Sequence, residues 1–583
     1  MRIALVTESG YPYVGGDAGP WCERLVRGLG QHEFDVHALS RGREQEAGGL
    51  LPLPPQVVRV RTAPLWTALD DGVVHGRRAR RRFADCYAEL AAVLAATGTA
   101  DPGGAAGHGG SDHLADRFGS AVLGLAELAR DEGGAAAALR SETALRALEG
   151  ACRAPGAQHA ARAARVPDLL AVAAHLECAL RPLSLDWYAG DGLAGADVCH
   201  AAAGGPAALA GLLAHHFSGV PLLVTEYGVP LRAHHLARHA DGTAPAVRAL
   251  LAAFHGRLAA EVYRRAALVT HGNVHARRWQ ERCGAERDRL RTVHPGMDAA
   301  PFAEVGEAPE GADPRTLVWA AGDIDPAKDL VSLLHAFAEV RAAEPGARLR
   351  IVGAAAGPGG EAYLGHCRAL AAQLFPDEAD GPHAVGDNPV SFEEFGGPQT
   401  PSPAQVYASG AVAVLSSVVE GFPVGLVEAM FCGRATVSTD VGAVVEAVGG
   451  TGLVVPPRNP RALADACVTL LRDPERRARL GAAARARALE LFTVEQNIEA
   501  FHGIYLEIVS HSPARHVALD DTGAPRPFAA PAESRVPGPW TGTAVPAARR
   551  APEWAAAAAA PGAGARSGPV PGAGPVPAPA RAR

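Results

Sequence analysis

The sequence predicts an α/β protein of two doubly wound domains facing across a cleft, with a helical insertion in the first. Three observations carry this expectation. Short apolar, β-branched runs alternate with helical stretches in both halves, the pattern of parallel sheets covered by helices. A Pro-, Gly- and Glu-rich break, EVGEAPEGADP, separates the halves. An Ala-, Arg- and Leu-rich tract from about Arg77 to Leu180 repeats apolar residues at i, i+3 and i+4. The boundaries that follow are a first domain over 1–305, a second over 315–492, a crossover helix over 493–511 and a tail over 512–583.

In the first domain Arg2 to Thr7 reads as a strand and Gly15 to Gly19 as a flexible turn. Trp21, Leu25, Val26 and Leu29 lie at helical spacing, and Phe34 to Leu39 returns as a strand. Loops at the carboxyl ends of such strands meet ligand, which puts Gly16 at the cleft. The helical insertion follows, broken near Ala100 to Ser111 by DPGGAAGHGGSD, where His108 and His113 read as solvated. Strands resume at Asp197 to His200, Pro221 to Glu226, Leu268 to Thr270 and Arg291 to Val293. His200 and His271 stand at strand ends toward the cleft. Each reads as a core or loop histidine or as part of the chemistry, and His200 is carried as a catalytic candidate.

The second domain opens at Thr316 with a strand over Leu317 to Ala321 and a loop from Gly322 to Asp329. A helix, Leu330 to Ala342, and a strand, Leu349 to Val352, come next. Of 55 basic residues only Lys328, in that loop, is a lysine. Arginine and lysine differ in shape and hydration, so a single lysine asks for a role.

The whole chain is organised around Ala411 to Asp440, AVAVLSSVVEGFPVGLVEAMFCGRATVSTD. A buried strand leads through a Ser-Ser loop into a helix of roughly Gly425 to Phe431, with Pro423 in its first turn and Gly433 past its end. Ala435 to Thr439 is the next strand. The helix N-terminus offers free N–H donors and a positive dipole, which suits a phosphate or diphosphate. Glu420 and Glu428 bracket the turn; a carboxylate repels phosphate, so each should face sugar or ribose hydroxyls. The spacing therefore suggests a nucleotide-sugar site. Beyond it, Arg461 to Leu471, Asp473 to Leu491 and Val494 to Ser510 read as helices. After His511 the chain is Pro-, Ala- and Gly-rich, expected to stay disordered and to be dispensable for folding.

Composition narrows the partners. A net charge of -7 offers no concentrated basic face for nucleic acid. No apolar run reaches the eighteen or so residues of a membrane span. MRIALVTESGYPY reads as a first strand and not a signal peptide. Nine cysteines stand singly without a CxxC pair, neither a disulfide framework nor a zinc site, and fit a reducing cytoplasm.

The run from Ser416 to Glu446 resembles the donor-site signature of family-4 retaining glycosyltransferases of the GT-B fold, in which two Rossmann-like domains face each other. TESGYPYV, the Gly15-Gly16 turn and W-x-x-x-L-V-R-G-L resemble the opening of the PelF-like branch, where an insertion in the acceptor half is also typical. TEYGVPLRAHH is similar to that branch's TEHG motif, with Tyr227 for His, and HPGMDAAPF to the linker between GT-B halves. DNPVS resembles the strand whose following loop, Phe392 to Gly397, borders the base. The resemblance covers residues 1 to 510 apart from the insertion. It implies metal-independent, retaining hexosyl transfer with no cofactor beyond the nucleotide-diphosphate sugar itself. Lys328, Glu420 and His200 would be catalytic. Lys328 and the turn Gly421, Phe422, Pro423 and Val424 would hold the phosphates, Glu420 the sugar hydroxyls and Glu428 the ribose, and Gly16 would join them as a donor-binding residue. The chain departs from the pattern at Asp323, where the family has an arginine for the diphosphate, at Asp17 for the second glycine of the first turn, at Tyr227, and at Ala202 for a second histidine.

The expected function is transfer of a sugar to a polysaccharide or polyol acceptor, in the cytoplasm, with peripheral association with a membrane polysaccharide system. The alternative is a catalytically weakened nucleotide-sugar-binding or scaffold protein of such a system. A dinucleotide oxidoreductase is disfavoured because the first loop lacks GxGxxG.

Overall fold

The structure, a computed structural model, describes residues 1–14, 19–67, 71–97, 108–237, 243–307, 313–355, 357–377, 388–396 and 402–511. Gly16 and Asp17, residues 100–107 of the glycine-rich break in the insertion, residues 308–312 of the linker break and the tail lie outside the described residues; His108 to Ser111, expected in the break, open the helix His108–Glu132.

Among the described residues thirteen strands form two separate parallel sheets. The first contains β1 (Arg2–Glu8), β2 (Glu33–Ser40), β3 (Val57–Pro64), β4 (Val198–Ala201), β5 (Leu222–Glu226), β6 (Leu268–His271) and β7 (Leu290–Thr292), in the order β3-β2-β1-β4-β5-β6-β7. The second contains β8 (Asp313–Ile324), β9 (Arg348–Ala355), β10 (Val390–Glu393), β11 (Gly410–Leu415), β12 (Ala435–Thr439) and β13 (Leu453–Val455), in the order β10-β9-β8-β11-β12-β13. In each sheet the strand order reverses once, between β1 and β4 and between β8 and β11. A doubly wound sheet opens a crevice for ligand at that reversal, outside the strand carboxyl ends.

Alternation along the strands sends side chains to two cores per sheet. In the first domain Ala4, Val6, Cys199 and Val224 face the side covered by the helix Pro206–Ser218, whereas Ile3, Leu5, Val198 and Leu223 face the opening helix Gly19–Gly28. The crossover helix Val494–His511 lays Phe501, Ile504, Tyr505 and Ile508 into that second core, so the end of the second half is built into the first domain. In the second domain Leu317, Trp319 and Ile351 face one way and Val318, Ala320 and Val352 the other.

The structure departs from sequence expectation at three places that bear on the site. β8 runs on through Gly322, Asp323 and Ile324, which the sequence reading gave to a loop; a register shift between Ala320 and Asp323 lets the strand pair with β9 to its end. Pro423 is the residue before the helix Val424–Phe431 and not within its first turn. β3 was not expected, because its apolar residues alternate with Arg59 and Arg61, which reach outward to Asp191. An edge strand needs only one apolar face.

Candidate functional site

The reversal point of the second sheet brings two loops together. After β8, Asp325 accepts a hydrogen bond from the Ala327 N–H at 2.6 Å, and Pro326 starts a short 3-10 turn ending at Lys328. Asp329 is left-handed (φ 48) and caps the helix Leu330–Ala343 through the Ser332 N–H. After β11, the Val418 N–H donates to the Ala327 carbonyl at 2.8 Å, and the Ser416 hydroxyl donates to the Lys328 carbonyl at 2.8 Å. The two loops are thus sewn into one rim.

Lys328 and Glu420 meet on that rim. Nζ lies 3.0 Å from Glu420 Oε2, with both side chains largely buried. Ser417 donates to the same oxygen at 3.0 Å, and the Gly421 N–H reaches Oε1 at 3.3 Å. The turn is braced from behind by Gly442 (φ 57), where a Cβ would overlap the Glu420 carbonyl, and the Ala443 N–H holds the Gly421 carbonyl at 3.1 Å. Gly425 lets the first helical turn press on β8, since a Cβ there would stand 2.6 Å from the Ala320 carbonyl.

Glu428 lies one turn into the helix, half-buried, and its Oε2 accepts the Tyr407 hydroxyl at 3.3 Å. Burial pushes its carboxyl up to about 7, against the lowering pull of that hydrogen bond. Phe422 packs edge-on against Phe492, with ring centroids 5.5 Å apart. The expected ring of N–H donors is smaller than the sequence implied. Pro423 has none, Gly421 is turned to Glu420, and the Val424 N–H donates to the Phe422 carbonyl at 3.0 Å. Among the described residues, the N–H groups of Phe422 and Gly425 donate to no protein acceptor.

His200 requires correction as a catalytic candidate. It is fully buried, with Nδ1 2.7 Å from the Tyr505 hydroxyl and Nε2 2.7 Å from Thr225 Oγ1. Both ring nitrogens are occupied, and burial pulls its pKa down to about 3. It pins the crossover helix to the first sheet and offers nothing to the cleft. His271 is likewise buried, bonded to Thr292 at 2.8 Å. Tyr227, at the histidine position of the branch motif, packs 5.2 Å from Trp21 and accepts from Asn497 at 3.1 Å. Asp323 is exposed at the end of β8, and among the described residues no side chain pairs with it.

Several contributors were not singled out from sequence. Ser417 and Tyr407 position the two glutamates. Two contacts join the first domain to this rim: Arg232 donates to the Glu420 carbonyl at 2.8 Å, and the Val274 N–H to Glu446 Oε2 at 2.6 Å. The Ser-Ser pair stood in view before Glu420; nothing local marks Tyr407 or Arg232, which arrive by tertiary packing.

Residues 1–288 match a family described as a domain of unknown function (DUF3492), and residues 315–473 match the family Glycosyl transferases group 1. The chain is 34% identical over 238 residues to a D-inositol 3-phosphate glycosyltransferase of Nocardia farcinica, covering 38% of this chain and 48% of that protein. It is 31% identical over 261 residues to the protein of the same name from Acidothermus cellulolyticus, covering 42% and 53%. The chain thus spans about half the length of the curated relatives it matches. Among solved structures, sucrose-phosphate synthase from Thermosynechococcus elongatus superposes with a TM-score of 0.51 at 16% identity, over 88% of this chain and 100% of that one. The architecture is that of the GT-B fold, and Lys328, Glu420 and Glu428 lie within residues 315–473, the stretch that matches the glycosyl transferases group 1 family.

Proposed function

We propose that this chain transfers a sugar from a nucleotide-diphosphate donor to a polysaccharide or polyol acceptor with retention of configuration, as in the PelF-like branch of family-4 enzymes. The carrying observation is the meeting of Lys328 and Glu420 at 3.0 Å on the rim of the sheet reversal, beside a helix N-terminus. In the proposed step the bond from the anomeric carbon to the diphosphate breaks as an acceptor oxygen bonds the same face. The acceptor proton leaves with the departing diphosphate. Charge building on the leaving oxygens meets Lys328 and the N–H groups of Phe422 and Gly425, so no metal is invoked. Glu420, released from Lys328 by the phosphate, aligns the sugar through its hydroxyls, and Glu428 takes the ribose. A polyol acceptor draws support from the relatives named for D-inositol 3-phosphate; a polysaccharide acceptor rests on the PelF-like motifs.

The test is transfer and donor hydrolysis by the purified chain across nucleotide sugars and acceptors, with nucleoside diphosphate affinity measured alongside. Lys328→Ala is expected to raise the barrier by about 2–4 kcal/mol, the scale of losing one oxyanion-type donor. Turnover unchanged in that variant refutes the assignment. Binding without turnover throughout favours the scaffold reading, for which the locked Tyr227 and the exposed Asp323 are the motives.

A further inference from the structure

The donor turn has a charge problem that its own domain does not solve. Lys328 is balanced by Glu420, Asp323 adds an exposed carboxylate at the end of β8, and Glu428 lies one turn away. A diphosphate brought to this rim carries several negative charges and meets little net positive charge from the second domain.

The first domain holds the missing charge. Arg232, in the short helix Pro230–Leu236 after β5, reaches the rim and places Nη2 2.8 Å from the Glu420 carbonyl. It is half-buried, and among the described residues no carboxylate is paired with it. One carbonyl uses one of a guanidinium's five donors and leaves the charge unmet. Burial already lowers its pKa, with Glu420 the one group that pulls it back up. Positive charge gathers here: burial first, and then Arg232, Arg278 and Arg282, depress His275.

We propose that Arg232 is a donor-binding residue supplied across the cleft, leaving the Glu420 carbonyl for a bidentate grip on the donor's diphosphate. This rests on the donor reading of the Lys328–Glu420 rim. A carboxylate- or phosphate-like group matches the guanidinium fork, and a charge-charge contact replaces a charge-dipole one. The exchange ties donor arrival to the contact between the domains, because the same side chain now holds one or the other.

Calorimetry on the full chain tests it, with UDP, ADP, GDP and TDP and their parent nucleosides as probes. Arg232→Ala should weaken the bound diphosphate about 10- to 100-fold, the range for a hydrogen bond between charged groups, and leave nucleoside affinity unchanged. Arg232→Lys should fall between, keeping charge and losing the fork. Equal loss of diphosphate and nucleoside would mean that Arg232 only braces the domains, and overturns the proposal. So would full diphosphate affinity in Arg232→Ala when Lys328→Ala has lost it, with the donor reading intact. If Lys328→Ala also binds as the parent does, or the parent binds none of the four, the donor reading falls and this inference with it.

Discussion

Glu428 is pulled two ways: its burial favours the protonated acid, and the Tyr407 hydroxyl favours the carboxylate. Burial wins and leaves the group near 7. Ribose hydroxyls donate best to the ionised form, so nucleoside diphosphate affinity should climb as pH rises from 6 to 8 and then level. Glu428→Gln should bind more weakly at pH 8, keep turnover at saturation closer to normal, and lose that part of the pH profile. The phosphate's own ionisation affects parent and variant alike, so calorimetry on both isolates the carboxyl; superimposable profiles would remove Glu428 from the site. At this scale the sequence was legible where chemistry and backbone coincide. Lys328, Glu420 and Glu428 are candidates because one helix N-terminus and one unique lysine single them out, and the fold brings Lys328 and Glu420 together. His200 was misjudged because a histidine at a strand end looks the same from sequence whether it meets solvent or Tyr505.

The rim loops show how elements turn those residues into a site. Asp325 and Asp329 each cap the turn that follows, and the left-handed Asp329 swings the chain so that Lys328 projects toward Glu420. Opposite, Gly442 lets the β12 loop press on the Glu420 carbonyl. Gly442→Ala adds strain at positive φ and forces the 420–421 turn aside, at a cost on the order of 1–3 kcal/mol for the backbone alone. The variant is expected to fold, with a lowered melting temperature, and to lose nucleoside diphosphate affinity together with turnover. Full affinity would show that the turn does not need this brace. The β11–helix–β12 unit could be read from sequence to within a residue or so, since a β-branched run, a proline at the helix entry and a glycine after it mark its boundaries. β3 could not, because charged residues every second position hide an edge strand. Gly322 to Ile324 read as a loop because a strand continuing past a register shift has no local signature.

On the scale of the whole molecule, alternation in both halves and the break between them were enough to predict two sheets. The way the crossover helix seals the first domain has no local signal, because Tyr505 and its partner His200 lie 305 residues apart. That sealing has an acid–base consequence. Burial depresses six imidazoles of the first domain, with His200 near 3, His32, His37, His255 and His271 near 4, and His275 lowered as well. Each binds a proton more readily unfolded, so each removes stability as pH falls through about 6.5. Three carboxyls act in the opposite sense. Burial raises Glu226 and Glu428 to about 7, and raises Glu8 as well, so each adds stability as pH falls through its folded value. Six imidazoles against three carboxyls leave the imidazoles dominant. The melting temperature should therefore drop from pH 7 to pH 5, with the first domain opening first. His200→Phe should lower the melting temperature at pH 7, through the lost bonds to Tyr505 and Thr225, yet flatten its slope with pH. A melting temperature that holds or rises toward pH 5 would mean that the buried carboxyls prevail, and that the imidazoles take up protons without unfolding.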